Sequence, residues 1–216
     1  MTIPTTMKAV RVYGPRDYRL EQVPVPAIGP GEVLVRVLAT GVCASDVKAF
    51  LGARVWGSAE IAPYIEAPVT AGHEFVGQVV ALGEGAAKKY GLKVGDHAVS
   101  EQIVPCWQCR FCRHGQYWMC QKHDIYGFKK DRAEGSWAEY MRFPANAVNH
   151  KVPAEIPPEQ AALIEPLACA IHAVERGEIQ LGQVVVIAGM GPIGLGMLQV
   201  ARLKGPGLPI ALDAKA

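Results

Sequence analysis

The spacing of hydrophobic and polar positions changes near residue 155. Before that point the chain has short apolar runs rich in β-branched residues, at residues 33–37, 75–80 and 97–99. Glycines and prolines separate these runs, at residues 29–31, 83–85 and 91. Runs of this kind predict strands, and the residues between them predict turns. We therefore expect residues 1–155 to form a β-rich domain with few helices.

Beyond residue 155 the apolar spacing first becomes helical. Over residues 158–176 apolar side chains recur at helical intervals, and Gly177 follows as a helix end. Residues 184–188 and 208–212 are apolar runs of the kind that buried parallel strands show, with a helix predicted between them from about residue 192 to 203. Residues 156–216 thus predict a linking helix and the opening β-α-β of a doubly wound α/β sheet.

Composition narrows the class of protein. With 216 residues the chain has room for one domain and part of another. A net charge of +2, without a long Lys/Arg stripe, argues against a nucleic-acid partner. No apolar run approaches the ~20 residues of a membrane helix, and the first ten residues lack the apolar core of a signal peptide. We expect a soluble, cytoplasmic protein with no membrane partner.

Four of the six cysteines fall within one short segment, namely Cys106, Cys109, Cys112 and Cys120. Two-residue spacers let consecutive thiolates surround one zinc ion, and four sulfur ligands leave no open position, as in a structural site. A cluster like this also favours a reducing compartment. Free or redox-active cysteines are one alternative. A nucleic-acid-binding zinc module is another, given the nearby Arg110, Arg113, His114 and Lys122.

A second group of metal-binding residue types is scattered along the chain. A catalytic zinc needs about three protein ligands and one open position, and Cys43 and His73 are suitable donors. Taken alone, each fits better as a core residue. Glu165 lies in an otherwise apolar stretch, where a buried carboxylate needs a cation or a hydrogen-bond partner. A helix-end carboxylate that reaches solvent is the alternative.

A glycine-rich turn follows the strand predicted at residues 184–188. It matches G-x-G-x-x-G at the start of a helix, a pattern that holds a dinucleotide pyrophosphate on free backbone N–H groups. Asp213 ends the next predicted strand, where a carboxylate would accept hydrogen bonds from the ribose of NAD and repel the phosphate of NADP. It could also be an ordinary strand-end residue. The predicted cofactor-binding residues are Gly189, Gly191, Pro192, Ile193, Gly194 and Asp213.

Taken together, these motifs resemble those of the zinc-dependent medium-chain dehydrogenases, in the family's order and along the whole chain. With a glutamate at position 165, the chain resembles the polyol branch that includes sorbitol dehydrogenase. Within that branch it is most similar to bacterial erythritol or L-threitol dehydrogenases. The resemblance implies a GroES-like catalytic domain over residues 1–155 and a Rossmann domain beginning within 156–216. It implies two zinc ions, one catalytic and one structural, and NAD as the hydride acceptor.

The same resemblance implies roles for individual residues. Cys43, His73 and Glu165 would surround the catalytic zinc, with Glu74 either a ligand or hydrogen-bonded beside it. Ser45 would touch the substrate hydroxyl and pass its proton outward. Many relatives carry histidine at the position of Lys48, so the part of this lysine in the proton relay stays open.

Family members continue for more than a hundred further residues, so the chain is expected to be a fragment that catalyses poorly alone. A half sheet of this kind would leave apolar edges and faces exposed. The predicted reaction of the parent protein converts a secondary alcohol or polyol into a ketone or ketose. We expect the full-length protein to be a dimer or tetramer. A non-catalytic zinc-binding fragment is the main alternative, and a zinc-free reductase is a weaker one.

Overall fold

The structure is a computed structural model that describes residues 2–214, and it contains two compact units, Met1–Ala162 and Leu163–Ala216. The outermost residues of the two predicted domains, residue 1 and residues 215–216, lie outside the described residues. The boundary predicted between residues 155 and 156 stays a prediction.

The first unit is built mainly from short strands. In chain order these are β1 (Thr6–Gly14), β2 (Asp17–Pro24), β3 (Val33–Thr40), β4 (Val69–Thr70), β5 (Phe75–Leu82), β6 (His97–Ser100), β7 (Ile103–Val104), β8 (Asp124–Ile125), β9 (Tyr140–Phe143) and β10 (Asn149–Val152). Its helices are α1 (Ala44–Phe50), α2 (Ala86–Tyr90), α3 (Arg110–Arg113) and α4 (Pro158–Ala161), with 3₁₀ turns at Arg54–Trp56 and Tyr117–Met119. The β-rich domain predicted from the sequence is confirmed.

Antiparallel pairing organises the first unit. Its largest sheet has the order β10-β6-β5-β3-β9, beside a three-stranded sheet in the order β2-β1-β4 and the pair β7-β8. The three strands predicted from apolar runs are β3, β5 and β6. Their inward side chains form one core with the aromatic rings of Phe75, Tyr126 and Phe143. Burial of these side chains stabilises the domain that carries the functional residues.

The second unit contains α5 (Ile164–Arg176), β11 (Val184–Ala188), α6 (Pro192–Arg202) and β12 (Leu208–Leu212). The strands β11 and β12 pair in parallel from Val184↔Leu208 to Ala188↔Leu212, which confirms the predicted β-α-β. Helices α5 and α6 approach closely, since a Cβ added at Gly196 would lie 2.9 Å from the Cβ of Ala170.

The prediction that β11 and β12 are buried strands is wrong for the described residues. On β11, Ile187 is 4% exposed, whereas Val184 and Val186 are 63% and 56% exposed. Alternate side chains of a strand point to opposite faces. Ile187 packs with Val174 of α5 and Ala201 of α6, so the helices cover its face. The other face carries bare valines, as expected of a half sheet.

The helix predicted over residues 158–176 is interrupted. Helix α4 ends at Ala161 and α5 begins at Ile164, with a turn between them. Pro166 has no backbone N–H, so it cannot bond the carbonyl of Ala162 in a continuous helix, and its ring would clash there. In the first turn of α5 the missing N–H costs nothing, because the first N–H groups of a helix have no partner within the helix. The proline therefore sets where α5 begins.

Candidate metal centres and dinucleotide turn

Strand pairing brings together two segments that are distant in sequence. Strands β3 and β5 are antiparallel, and Thr40 at the end of β3 pairs with Phe75 at the start of β5. The residues just after β3 and just before β5 must therefore be neighbours. A backbone hydrogen bond from Gly41 N to Glu74 O, 2.8 Å long, extends the pairing beyond the strands. This geometry places Cys43 beside His73 and Glu74.

Cys43 is held at the N-terminus of α1 by a capping box. Its sulfur accepts a hydrogen bond from Ser45 N at 3.5 Å, and the carboxylate of Asp46 accepts one from Cys43 N at 2.9 Å. Reciprocal bonds of this kind satisfy N–H groups that the helix leaves unpaired. The position of the thiol is thus determined by the start of the helix.

His73 is buried, with 2% of the residue exposed. Its Nδ1 lies 3.4 Å from Oδ1 of the buried Asp46, an ion-pair distance without the alignment of a hydrogen bond. Burial lowers the pKa of His73, but the Asp46 carboxylate and then the Cys43 sulfur outweigh it and raise that pKa to about 9. With Nδ1 turned toward Asp46, the other ring nitrogen is the one available to a metal, which is how a carboxylate orients a ligating histidine.

Cys43, His73 and Glu74 offer ligand atoms that all lie within 4.8 Å of one another. A thiolate, an imidazole and a carboxylate are the donor types that zinc takes, and three of them leave a position open. The donor set therefore fits a catalytic zinc.

The other predicted residues of this site lie at different places. Ser45 and Lys48 are exposed on α1, two and five positions after Cys43, and neither belongs to the cluster of donors. Glu165 lies in the first turn of α5, in the second unit, where its carboxylate is 3.7 Å from the sulfur of Cys169. That these three residues act at the metal site stays a prediction.

The segment that carries Cys106, Cys109, Cys112 and Cys120, here called the cysteine lobe, brings its four sulfurs together within the first unit. The sulfur atoms of Cys106, Cys109, Cys112 and Cys120 all lie within 4.8 Å of one another, and none forms a disulfide. The sulfurs of Cys106 and Cys112 are 4.0 Å apart. Around one zinc with bonds of about 2.3 Å, tetrahedral sulfurs would be about 3.8 Å apart. The convergence of the four sulfurs therefore fits one zinc ion.

Backbone N–H groups of the cysteine lobe donate hydrogen bonds to its cysteine sulfurs. Cys106 N donates to Cys120 Sγ and Cys109 N donates to Cys106 Sγ, each at 3.3 Å. Backbone N–H groups of Cys112 and Gln121 lower the pKa of Cys109 to about 6, while burial raises the pKa of Cys112 to about 12. A metal must then displace protons from part of the cluster, which makes its binding dependent on pH.

The glycine turn joins β11 to α6. Gly189 has φ +96°, Gly191 is the N-cap of α6, and Pro192 occupies its first turn. Ile193 follows in that turn, and Gly194 lies so close to the carbonyl of Gly189 that a side chain there would overlap it. The backbone N–H groups at this helix start form the cradle that a pyrophosphate needs.

Asp213 lies just after β12 and beside the glycine turn. Its Oδ2 accepts a hydrogen bond from Met190 N at 2.6 Å. The carboxylate therefore helps to shape the turn. Its predicted role toward a ribose hydroxyl stays a prediction.

Asp46 contributes to this site, although no role was predicted for it from the sequence. It caps α1 through Cys43 and faces His73, so it joins two of the three donors. Its position three residues after Cys43 is the spacing of a capping box, a signal that can be read from the sequence. Its contact with His73 depends on strand pairing and could not be read there.

Comparison with known proteins bears on both centres. Residues 29–154 match the alcohol dehydrogenase GroES-like domain. The chain belongs to that family, the zinc-dependent medium-chain dehydrogenases. This family membership confirms the predicted GroES-like domain.

Three similar proteins show how far the likeness extends. An erythritol/L-threitol dehydrogenase of Mycolicibacterium smegmatis is 54% identical over 98% of the chain and 58% of its own length. A sorbitol dehydrogenase of Bacillus subtilis is 34% identical over 98% and 57%. The structure of an acetophenone reductase of Geotrichum candidum in complex with NAD matches with a TM-score of 0.81 and 30% identity, over 100% of this chain and 60% of that one.

The chain thus spans somewhat more than half the length of the family members it matches. The predicted polyol branch agrees with both curated relatives. None of the helices among residues 2–214 combines the length and the apolar character required to cross a membrane.

Proposed function

We propose that this chain supplies the metal-binding part of an NAD-dependent dehydrogenase that oxidises a secondary alcohol or polyol. The observation that carries the proposal is the convergence of Cys43, His73 and Glu74, three donors from two distant segments, within 4.8 Å of one another. When bound, zinc would lower the pKa of the substrate hydroxyl, and NAD would accept the hydride.

The chain's own residues divide this work. Cys43, His73 and Glu74 would hold the catalytic ion, with Glu165 as a further neighbour. Asp46 would keep the ring of His73 oriented, because its carboxylate faces Nδ1. The four cysteines of the lobe would hold the structural ion.

Proton transfer and cofactor binding fall to the exposed residues. Ser45 would accept the proton of the substrate hydroxyl and pass it toward solvent, and Lys48 would continue that relay. The N–H groups of the turn from Gly189 to Gly194 would bind the pyrophosphate. Asp213 would accept hydrogen bonds from the adenosine ribose and so favour NAD over NADP.

The domain organisation and the assembly belong to the same proposal. A catalytic domain over residues 1–155 would precede a dinucleotide domain that begins at residue 156. Relatives that oxidise erythritol, L-threitol or sorbitol make four- to six-carbon polyols the substrates to test first. In its full length the protein would form a dimer or tetramer.

The experiment measures zinc content and NAD reduction in parallel. Elemental analysis should find about two zinc ions per chain. Cys43→Ser should retain about one of them and, in the full-length protein, should lose NAD reduction by any polyol while keeping its NAD affinity in calorimetry. Cys109→Ser is the matched variant in the lobe and should also lose one ion. A wild-type chain without zinc would contradict the proposal.

One observation favours a second candidate, a non-catalytic zinc-binding fragment. The described part of the second unit has only two parallel strands, and one face of β11 is bare. A dinucleotide site of this fold normally uses a wider sheet. A chain that holds two zinc ions and neither binds NAD nor reduces it would support this candidate over the dehydrogenase.

A further inference from the structure

Gly41 occupies the link between β3 and α1, beside Glu74. Both sides of this residue are tied to the protein. Its N–H donates to Glu74 O at 2.8 Å, and its carbonyl accepts a hydrogen bond from Nε1 of Trp137 at 2.9 Å. Its backbone is therefore held in place, and it cannot move away from Glu74 without breaking these bonds.

The side chain of Glu74 fills the space in which a side chain of residue 41 would lie. A Cβ added at Gly41 would overlap Oε2 of Glu74 and would lie 3.1 Å from its Cβ and 3.3 Å from its Cδ. The conflict thus includes the stem of the glutamate as well as its flexible end. The backbone of Glu74 cannot yield easily either, because its carbonyl accepts hydrogen bonds from Gly41 N and from Thr40 Oγ1.

Only the side chain of Glu74 is left to move. Any atom at the Cβ position of residue 41 must displace the Glu74 carboxylate, which in its present position offers an oxygen within 4.8 Å of the Cys43 and His73 donors. We propose that Gly41 is a positioning residue, whose missing side chain lets the Glu74 carboxylate reach the metal site. This inference rests on the metal site of the proposed function. It explains why the Glu74 side chain has room to act as a ligand at that site.

The test uses the metal-depleted full chain and Co²⁺ as the probe. Visible absorption separates a lobe with four thiolates from a site with one thiolate, so the two binding steps can be fitted separately. In Gly41→Ala the affinity of the one-thiolate site should fall about 10- to 100-fold, the loss typical of removing a supporting group at a metal site. The affinity of the lobe should not change.

A matched control and a double variant isolate the cause. Gly14→Ala places the same methyl group where no atom lies within 4 Å, and it should leave both binding steps unchanged. In a Glu74→Ala background the overlapping carboxylate is gone, and the conflict left is the 3.1 Å contact between the two Cβ atoms, which a shift of about a few tenths of an ångström relieves. There Gly41→Ala should have little further effect on cobalt affinity or on the visible spectrum.

Each contrary result has a distinct meaning. A wild-type chain that takes up a single cobalt ion, in the lobe, overturns the metal site and this proposal with it. If the wild type takes up two ions and Gly41→Ala keeps the wild-type affinity and spectrum, only the role of Gly41 is overturned. The role is also overturned if Gly41→Ala weakens the lobe equally, or if its effect persists in full in the Glu74→Ala background.

Discussion

Asp46 joins the start of α1 to the ring of His73, so its replacement should separate folding from metal binding. Its carboxylate is buried, with 5% of the residue exposed, and accepts a hydrogen bond from Cys43 N at 2.9 Å. Asp46→Ala removes a helix cap worth about 1 kcal/mol. It also removes the ion-pair partner of the buried His73 ring, and removing one member of a buried ion pair costs about 3–5 kcal/mol. We expect a total loss of about 4–6 kcal/mol in the free energy of unfolding of the metal-free chain.

Asp46→Asn is the more informative variant. Its amide oxygen can still accept from Cys43 N, so the capping share of about 1 kcal/mol should be kept. Its NH₂ group, however, can turn toward Nδ1 of His73 and favour the tautomer with a proton on the nitrogen that the metal needs. Zinc affinity of the three-donor site should therefore fall about 10- to 100-fold while the fold persists.

Two measurements on these variants separate the effect on stability from the effect on zinc binding. Urea unfolding of the metal-free chain gives the stability of each variant, and competition with a chromophoric chelator gives the zinc affinity of each site. The lobe is the internal control, since Asp46 is not among its residues. Unchanged zinc affinity in Asp46→Asn, or an equal loss from the lobe, would refute the reasoning.

Three further predictions concern other parts of the chain. Cys109→Ser should lower the thermal midpoint and reduce its dependence on added chelator, because structural zinc contributes folding free energy; an unchanged midpoint would contradict a structural site. Asp213→Ala should weaken NAD binding more than NADP binding in calorimetry, and equal losses would count against its ribose role. Lys151 lies 2.9 Å from Asp96 and lowers the pKa of that carboxyl below its ordinary value of 3.8. The ion pair therefore stabilises the fold fully above about pH 3.8, and this stabilisation is lost as the pH falls through the lowered pKa of Asp96. Urea midpoints measured against pH should fall less steeply in Asp96→Asn, and an unchanged slope would argue against this contribution.

Local patterns in the sequence predicted the elements well. β-branched runs predicted β3, β5 and β6, and the glycine turn predicted the start of α6, because these signals depend on neighbouring residues. The spacing of the lobe cysteines predicted a cluster, and the structure brings their four sulfurs together. Short spacers keep the cysteine side chains close together, so their sulfurs can converge on one ion.

Other features depend on contacts that no local pattern encodes. That Glu74 belongs with Cys43 and His73 follows from the pairing of Thr40 with Phe75. The exposure of Val184 and Val186 could not be judged from an apolar run, since it depends on what covers each face of the sheet. The break before α5 could have been predicted, because Pro166 cannot extend a helix that begins eight residues earlier.

The contact between Ala170 and Gly196 has a consequence for the cofactor turn. It lies only five positions from Gly191, where α6 begins. A methyl group at Gly196 would act as a wedge between the two helices, and a short, stiff helix responds to such a wedge by tilting. The backbone N–H groups in the first turn of α6 would then no longer point toward the proposed pyrophosphate site. If the turn binds a dinucleotide as proposed, its affinity would depend partly on the small size of Ala170 and Gly196, which lie outside the turn.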